Sequence, residues 1–333
     1  MKVSAIIPTY NRAYIVLEAV ESVLGQTYRD FEIVVVDDGS TDNTAEIVRG
    51  IGDPRIRYIT HEKNKGCSAA YNSGIAAARG DLVGFLDSDD RWKPDYLERQ
   101  VGFFERHPEV DAVFTDTEVR FSTWQAPSLI SLMQAFPKLL KGHPDSEEVV
   151  LSSREMYLCL LEEVPIKPSA VVVKRELFRR AGTFDEAWPS GTDWELFLRF
   201  SYSARFGFIN RVLVSQQQTS DSTFLKFVEK DKELLLKVAL REKRRLRNDP
   251  EALVAVNRGI SSHCSNLAWI YMNSGKPIKS AGLYLRGFQE TGEPIMLARA
   301  ISAVLPLGVR NVLKRAVKLK HDGQRALKRQ PGS

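Results

Sequence analysis

Leu82-Val83-Gly84-Phe85-Leu86-Asp87-Ser88-Asp89-Asp90 is the stretch on which the fold turns. Its five apolar residues are short enough to be one buried strand, and three carboxylates in the next four residues mark where that strand must stop. Like charges packed so tightly repel, so something cationic is expected among them. Oxygen-rich clusters of this kind suit Mg²⁺ or Mn²⁺, which bind through one or two carboxylates plus the phosphates of a substrate. A solvated acidic turn is the other reading of the same residues.

Working outward, the first 120 residues alternate short β-branched runs with longer amphipathic segments, the pattern of βαβ units and a parallel sheet. Strands are expected at Val3 to Ile7, Phe31 to Val36, Ile56 to Tyr58, Leu82 to Leu86 and Ala112 to Phe114. Helices are expected at Ala13 to Gly25, Asn43 to Arg49 and Ser68 to Arg79. In an open parallel sheet, ligands bind outside the carboxyl ends of the strands. Three of those ends carry chemistry: Pro8-Thr9-Tyr10-Asn11, Asp37-Asp38-Gly39-Ser40 and Asp87-Ser88-Asp89-Asp90. Independent solvated turns have no reason to load one sheet edge three times.

A carboxylate at Asp38 can accept hydrogen bonds from a base or ribose, and Tyr10 offers a flat face for a base to stack on. An Asp-Gly turn with a helix cap is the competing reading of Asp37 to Ser40. No Gly-x-Gly-x-x-Gly follows the first strand and no glycine-rich Lys-Ser/Thr loop is present, which sets aside dinucleotide-binding and P-loop readings. Phosphates would therefore be held by a metal.

Val3-Ser4-Ala5-Ile6-Ile7-Pro8-Thr9-Tyr10-Asn11-Arg12, Val34-Val35-Val36-Asp37-Asp38-Gly39-Ser40-Thr41-Asp42, Asn64-Lys65-Gly66 leading to Asn72-Ser73-Gly74, and Phe85-Leu86-Asp87-Ser88-Asp89-Asp90 together resemble the family 2 glycosyltransferases of GT-A fold. The likeness is specific over residues 3 to 100 and continues more weakly to about 220. It implies an α/β fold: a Rossmann-like nucleotide-binding sheet flanked by helices, with a mainly helical C-terminal region. The implied division is a glycosyltransferase domain at 1–220, with a nucleotide-sugar-binding half at 1–115 and an acceptor-binding half at 116–220, followed by a helical region at 221–333.

The resemblance also implies roles. Pro8, Thr9, Tyr10, Asn11, Asp38, Gly66, Asp87 and Ser88 would bind the nucleotide of a nucleoside-diphosphate sugar, a UDP-sugar favoured. Asp89 would hold Mn²⁺ or Mg²⁺, with Asp87 and Asp90 supporting and Gln218 standing where many members carry a histidine. Asp193, opening a helix beside Trp194, would be the catalytic base of an inverting transfer, and Trp188, Thr192 and Trp194 would meet the acceptor. Thr192 replaces a second acid common in the family, and Tyr71 replaces a common arginine. The nearest rivals are a nucleotidyltransferase, which should show a basic glycine-rich loop after the first strand, and a non-catalytic nucleotide-sugar scaffold.

Later in the chain, 120 to 164 reads as an insertion, alternation returns at Ala170 to Val173, and a helix-turn-helix pair surrounds Ser274-Gly275. The five histidines, His61 among them, form no ligand spacing and read as incidental. Cys67, Cys159 and Cys264 are odd in number and widely spaced, which fits neither a disulfide framework nor a zinc site. The 333 residues, 43% hydrophobic and 27% charged, are ordinary for a chain with a core and about two domains. The start resembles a strand and not a signal peptide, so a cytoplasmic protein is expected. Net charge is +5, and 309–333 carries eight Lys or Arg against one acid, Asp322. Without a nucleic-acid motif, such a stretch is either solvated or drawn to an anionic membrane face, where a glycan or lipid-linked acceptor would be met.

Overall fold

The computed structural model describes residues 1–120, 124–143, 146–188, 192–217 and 223–305. Ten strands in these residues form one sheet: β1 Val3–Thr9, β2 Phe31–Asp37, β3 Ile56–Thr60, β4 Leu82–Phe85, β5 Asp90–Trp92, β6 Ala112–Arg120, β7 Gln125–Ala126, β8 Glu148–Leu151, β9 Val171–Lys174 and β10 Phe206–Gln217. The main order is β3-β2-β1-β4-β9-β6-β10-β5. All residues of β1, β2 and β4 are buried, as expected of strands covered on both faces, and this is why they read as unbroken apolar runs.

β1 runs parallel to β2, pairing Thr9 with Asp37, and parallel to β4, pairing Ile6 with Phe85. The carboxyl ends of all three therefore meet at one edge. The sheet is not parallel throughout. β9 runs antiparallel to both β4 and β6, and β10 runs antiparallel to β5 and β8. Val171-Val172-Val173 is buried on both faces, so its sequence is equally suited to either direction.

The helices of the first part are α1 Val16–Leu24, α2 Thr44–Gly50, α3 Cys67–Ala77, α4 Tyr96–Arg106, α5 Phe136–Leu140, α6 Ser153–Glu162, α7 Arg175–Ala181, α8 Thr192–Phe200 and α9 Thr223–Arg245. α1 buries Val16, Ala19, Val20 and Val23, the stripe at helical spacing that its sequence shows. α3 lies close on the sheet because Gly74 leaves room for Ile6; a Cβ at 74 would overlap that side chain. α8 is held by its buried Trp194, Leu196, Phe197, Leu198 and Phe200, each such side chain contributing about 1.5–3 kcal/mol of apolar burial.

The segment expected as an insertion is partly built into the core. β8 pairs with β10, Leu151 opposite Phe206, and α6 opens on a capping box in which Ser152 and Glu155 satisfy each other's backbone N–H groups. The Ser-x-x-Glu signal was present in the sequence; the four-residue strand before it was too short to register.

The chain forms two compact units, Met1–Val256 and Asn257 onward. The first runs past residue 220 and includes α9, whose Arg241 reaches Glu195 of α8 at 3.3 Å. α10 Pro250–Asn273 spans the change of unit, and α11 Pro277–Thr291 and α12 Pro294–Val304 belong to the second. The turn between α10 and α11 falls at Ser274-Gly275, as expected. α11 ends on Gly292 in the left-handed conformation, φ 72°, a usual helix stop. Within α12, Met296, Ala300 and Ala303 are buried, while Leu297, Ile301 and Val304 are exposed. Among the described residues no helix is long and apolar enough to cross a membrane.

Candidate active site

The end of β1 is tied to the end of β2 by hydrogen bonds that fix both loops. Asp38 N–H donates to the Thr9 carbonyl at 2.8 Å. Asn11, at φ 52°, donates its N–H to Ser40 Oγ at 2.8 Å and accepts the Thr41 N–H through Oδ1 at the same distance. Asn11 thus shapes the loop, a role suited to a residue type that tolerates positive φ better than most others that are not glycine. Tyr10 is exposed beside it, whereas Thr9 is buried and its Oγ1 has no hydrogen-bond partner. A buried hydroxyl left unmatched needs an explanation, and a ligand atom is one.

Asp37 and Asp38 face different surroundings. Asp37 accepts from Tyr58 Oη–H and from the Ser40 N–H three residues on, a local side-chain bond that closes its own loop. Asp38 accepts from the backbone N–H groups of Lys65, at 2.9 Å, and Gly66, at 2.7 Å, and lies 2.7 Å from His61 Nδ1. Gly39 between the loops has φ 79°, and a Cβ there would come within 2.8 Å of the Lys63 backbone. Only glycine permits the 63–66 loop to close so tightly over Asp38.

The acidic run is equally well anchored. Asp87 accepts from Tyr71 Oη–H, and its own N–H donates to Ser169 Oγ at 3.0 Å. Ser169 in turn donates to Asp90 Oδ2 at 2.6 Å, and Gln217 N–H approaches Asp90 Oδ1 at 3.3 Å. The β5–β10 pairing, Gln216 opposite Asp90, brings the end of β10 to the acids. Asp89 is more accessible and pairs with Arg12 at 3.6 Å, a guanidinium also bonded to Tyr14 Oη at 2.8 Å. Burial first, then repulsion from Asp89, push the Asp87 carboxyl up to about 6. Burial and the same neighbours push Asp90 up as well.

Asp193 enters this group from far along the chain. Ser68 Oγ near the start of α3 and Thr192 Oγ1 at the start of α8 are 2.7 Å apart and buried. Asp193 follows Thr192, and its charge contributes to raising Asp87, Tyr71 and the Cys67 thiol, all of them raised chiefly by burial. The same charge reaches Lys232 of α9, whose amine burial and Lys167 push downward.

Beside Thr192 lies a cavity of about 160 Å³, lined by Asp185, Trp188, Glu195, Leu234, Lys237 and Arg241 among others. Lys237 Nζ sits 4.7 Å from the centre of the Trp188 ring, which fixes the indole as one wall.

The structure therefore brings together Pro8, Thr9, Tyr10, Asn11, Asp38 and Gly66 at one end, and Asp87, Ser88, Asp89 and Asp90 beside Asp193 at the other. Trp194 is in the core, 1% exposed, its indole N–H donating to the Leu160 carbonyl at 2.7 Å. It packs α8 and presents no surface to an acceptor. Gln218 and the basic stretch beyond 306 lie outside the described residues. His61, Tyr71, Ser169 and Arg12 hold the site together; Tyr71 and Arg12 were marked only by the resemblance, and His61 and Ser169 carry no spacing that sequence reasoning would single out.

No three His, Cys, Asp or Glu side chains converge as a metal cage among the described residues. Mg²⁺ and Mn²⁺ do not need one where a diphosphate completes the shell, and Asp89 with Asp87 supplies the one or two carboxylates required. Asp87 and Asp90 are pushed up chiefly by burial and secondly by the neighbouring carboxylates, and a cation would relieve that second part. The donor set fits the ion in that limited sense.

Residues 4–164 match the family model described as glycosyl transferase family 2. An uncharacterized glycosyltransferase of Rickettsia felis is 35% identical over 213 residues, 64% of this chain and 32% of that protein. Chondroitin synthase of Escherichia coli is 29% identical over 238 residues, 71% of this chain and 32% of the synthase. The succinoglycan biosynthesis protein ExoO of Rhizobium meliloti is 44% identical over 99 residues, 30% of this chain and 28% of that protein. The chain thus spans about a third of the length of these relatives. Among solved structures, S. aureus TarS 1–349 superposes with a TM-score of 0.63 at 18% identity, over 95% of this chain and 92% of that one. Its complex with UDP-GlcNAc gives 0.60, over 87% and 89%. At this identity the likeness is one of fold, and it bears out the expected α/β sheet with a helical C-terminal region.

Proposed function

Taking as premise that the chain belongs to glycosyl transferase family 2, we propose that it moves a sugar from a nucleoside-diphosphate sugar to a hydroxyl of a glycan or lipid-linked acceptor during polysaccharide synthesis, with inversion. The observation that supports the reading is the Ser68–Thr192 bond, which brings the start of α8 to α3, from where the charge of Asp193 acts on Asp87. Structures of TarS with UDP-GlcNAc and with UDP favour a uridine nucleotide as donor.

In the reaction, Asp193 accepts the proton of the acceptor hydroxyl as that oxygen attacks the anomeric carbon, and the bond from that carbon to the diphosphate oxygen breaks on the opposite face. A well-placed base is worth about 10² to 10⁴ in rate. Tyr10 offers its ring to the base, Thr9 its unmatched hydroxyl, and Asp87 and Ser88 face the ribose. Bound Mn²⁺ or Mg²⁺, held by Asp89 with Asp87 and Asp90 in support, would offset the negative charge gathering on the leaving diphosphate. Trp188 and Thr192, on the cavity beside Asp193, are the surfaces we assign to the acceptor.

We place the enzyme at the cytoplasmic face of a membrane. The outward side of α12, with Leu297, Ile301 and Val304 exposed, precedes the basic stretch 309–333, and an apolar stripe followed by cations suits anionic lipid.

The deciding experiment incubates the chain with a panel of nucleotide sugars, Mn²⁺ and candidate acceptors. Release of nucleoside diphosphate, reduced about 10² to 10⁴-fold in Asp193→Asn while nucleotide binding persists, is expected. Wild-type turnover in that variant removes Asp193 as base. Pyrophosphate release indicates a nucleotidyltransferase, and nucleotide-sugar binding without turnover a scaffold.

A further inference from the structure

His61, just after β3, makes two directed contacts. Its Nδ1 is 2.7 Å from Asp38 Oδ1 and its Nε2 is 2.8 Å from Ser73 Oγ in α3. The ring is 8% exposed. Because the carboxylate can only accept, Nδ1 carries the proton toward Asp38, and Nε2 shares a hydrogen bond with the Ser73 hydroxyl.

Asp38 receives three donors in all: His61 and the N–H groups of Lys65 and Gly66. A carboxylate has about four acceptor sites, so a single one is left for anything else. His61 is the only side chain among those three donors, and through Ser73 it fastens Asp38 to the helix that Gly66 opens. Asp38, the loop from 63 to 66, and α3 are thereby locked into one piece. The sequence of contacts Asp38–His61–Ser73 has the order of an acyl-transfer triad, yet so buried a ring gives a substrate carbonyl no approach.

We propose that His61 is a positioning residue of the nucleotide site: it orients Asp38 and, through it, holds the Lys63–Gly66 loop in the shape that receives the nucleoside. The inference rests on the nucleotide-sugar reading above. It locates donor affinity in a residue that touches no substrate, and it predicts that His61 governs binding of the nucleotide and not the chemical step.

The test measures UDP binding by calorimetry, steady-state kinetics and amide hydrogen exchange on the full chain, for wild type, His61→Ala, His61→Asn and Ser73→Ala. In His61→Ala, the UDP Kd and the donor KM are expected to rise about tenfold, the size of one lost hydrogen bond to a charged group, with kcat changed less than about threefold. Asparagine places an amide N–H near the Nδ1 position, so His61→Asn should bind UDP within about threefold of wild type. Amides of Lys65 and Gly66 should exchange faster in His61→Ala and not in His61→Asn.

Unchanged UDP affinity in His61→Ala, a fall in kcat alone, or asparagine no better than alanine at equal melting temperature overturns the proposal. If His61→Ala does not fold, His61→Asn and Ser73→Ala decide it through the same exchange and binding measurements. Absence of UDP, GDP, CDP and dTDP binding by the wild type would count against the donor reading itself. In that case unchanged Lys65 and Gly66 exchange in His61→Ala would still overturn the positioning role.

Discussion

Ser68 and Thr192 are separated by 124 positions in the chain and by 2.7 Å in space, joined hydroxyl to hydroxyl with both residues buried. This bond joins α3, which follows the loop over Asp38, to the helix that carries Asp193. Removing one hydroxyl strands the other in the core, at about 1–3 kcal/mol, whereas removing both is milder. Ser68→Ala should therefore lower kcat about tenfold with donor KM little changed, since small misplacements of a base are costly. Ser68→Ala/Thr192→Val should be no worse than the single variants. Additive losses in the double-mutant cycle would show that the two hydroxyls act independently.

Chelation tests the cation. With EDTA in excess, turnover should fall by at least about 100-fold and return with Mn²⁺ or Mg²⁺. Asp89→Asn should raise the metal concentration needed for half-maximal rate, while circular dichroism and melting remain those of the wild type. Full activity after exhaustive chelation would remove the metal from the reaction.

Glu32 gives a pH dependence of stability unrelated to chemistry. Burial pushes its carboxyl up, but the hydrogen bonds from Ser4 Oγ at 2.7 Å, Arg79 N–H at 2.7 Å and Arg57 at 3.3 Å outweigh it and hold the group below its ordinary value of 4.5. A group depressed in the folded state stabilises fully above its unfolded pKa, and the contribution is lost as pH falls through the folded one. Glu32→Gln should cost about 1–3 kcal/mol at pH 7 and flatten the acid limb of the stability profile. Parallel acid limbs for the two proteins would show that Glu32 is not the titrating group.

Gly39→Ala should be among the most damaging single-methyl additions in the chain. It meets both a positive φ and backbone atoms at 2.8–2.9 Å, neither of which can yield cheaply. A loss of about 1–3 kcal/mol is expected, together with weakened UDP binding as the 63–64 backbone moves off Asp38. A melting temperature equal to wild type would show that the loop relaxes freely.

For the membrane contact, replacing the eight Lys and Arg of 309–333 with Gln should abolish binding to vesicles containing phosphatidylglycerol. Leu297→Ser/Ile301→Ser should weaken it by about an order of magnitude at physiological salt. Vesicle binding unaltered by either set retires the contact.

The sheet-edge half of the candidate site was legible because its signals are local. Pro8 to Asn11, Asp37 to Ser40 and Asp87 to Asp90 each follow a strand whose apolar run is visible, and parallel pairing makes their ends coincide. Asp193 was recognisable only by resemblance, since the contact that delivers it spans 124 residues. Trp194 misled because a large aromatic beside a candidate catalytic base suits sugar stacking and core packing equally. In the structure its indole N–H finds the Leu160 carbonyl and its ring fills the core. His61 looked incidental for the opposite reason: its partners, Asp38 and Ser73, sit at no metal-ligand interval, and only the closing of the loop brings all three together.

Asp90 is at once the last acid of the run and the first residue of β5, which pairs back onto β10. The acid-bearing loop and the 216–217 end of the long strand are consequently joined side by side, laced by main-chain bonds and by Arg91 to Gln217. Neither can swing without the other. Slow breathing of the site must lift both as a cooperative unit, so the amide protons of 90–92 and 214–216 should share a single opening rate.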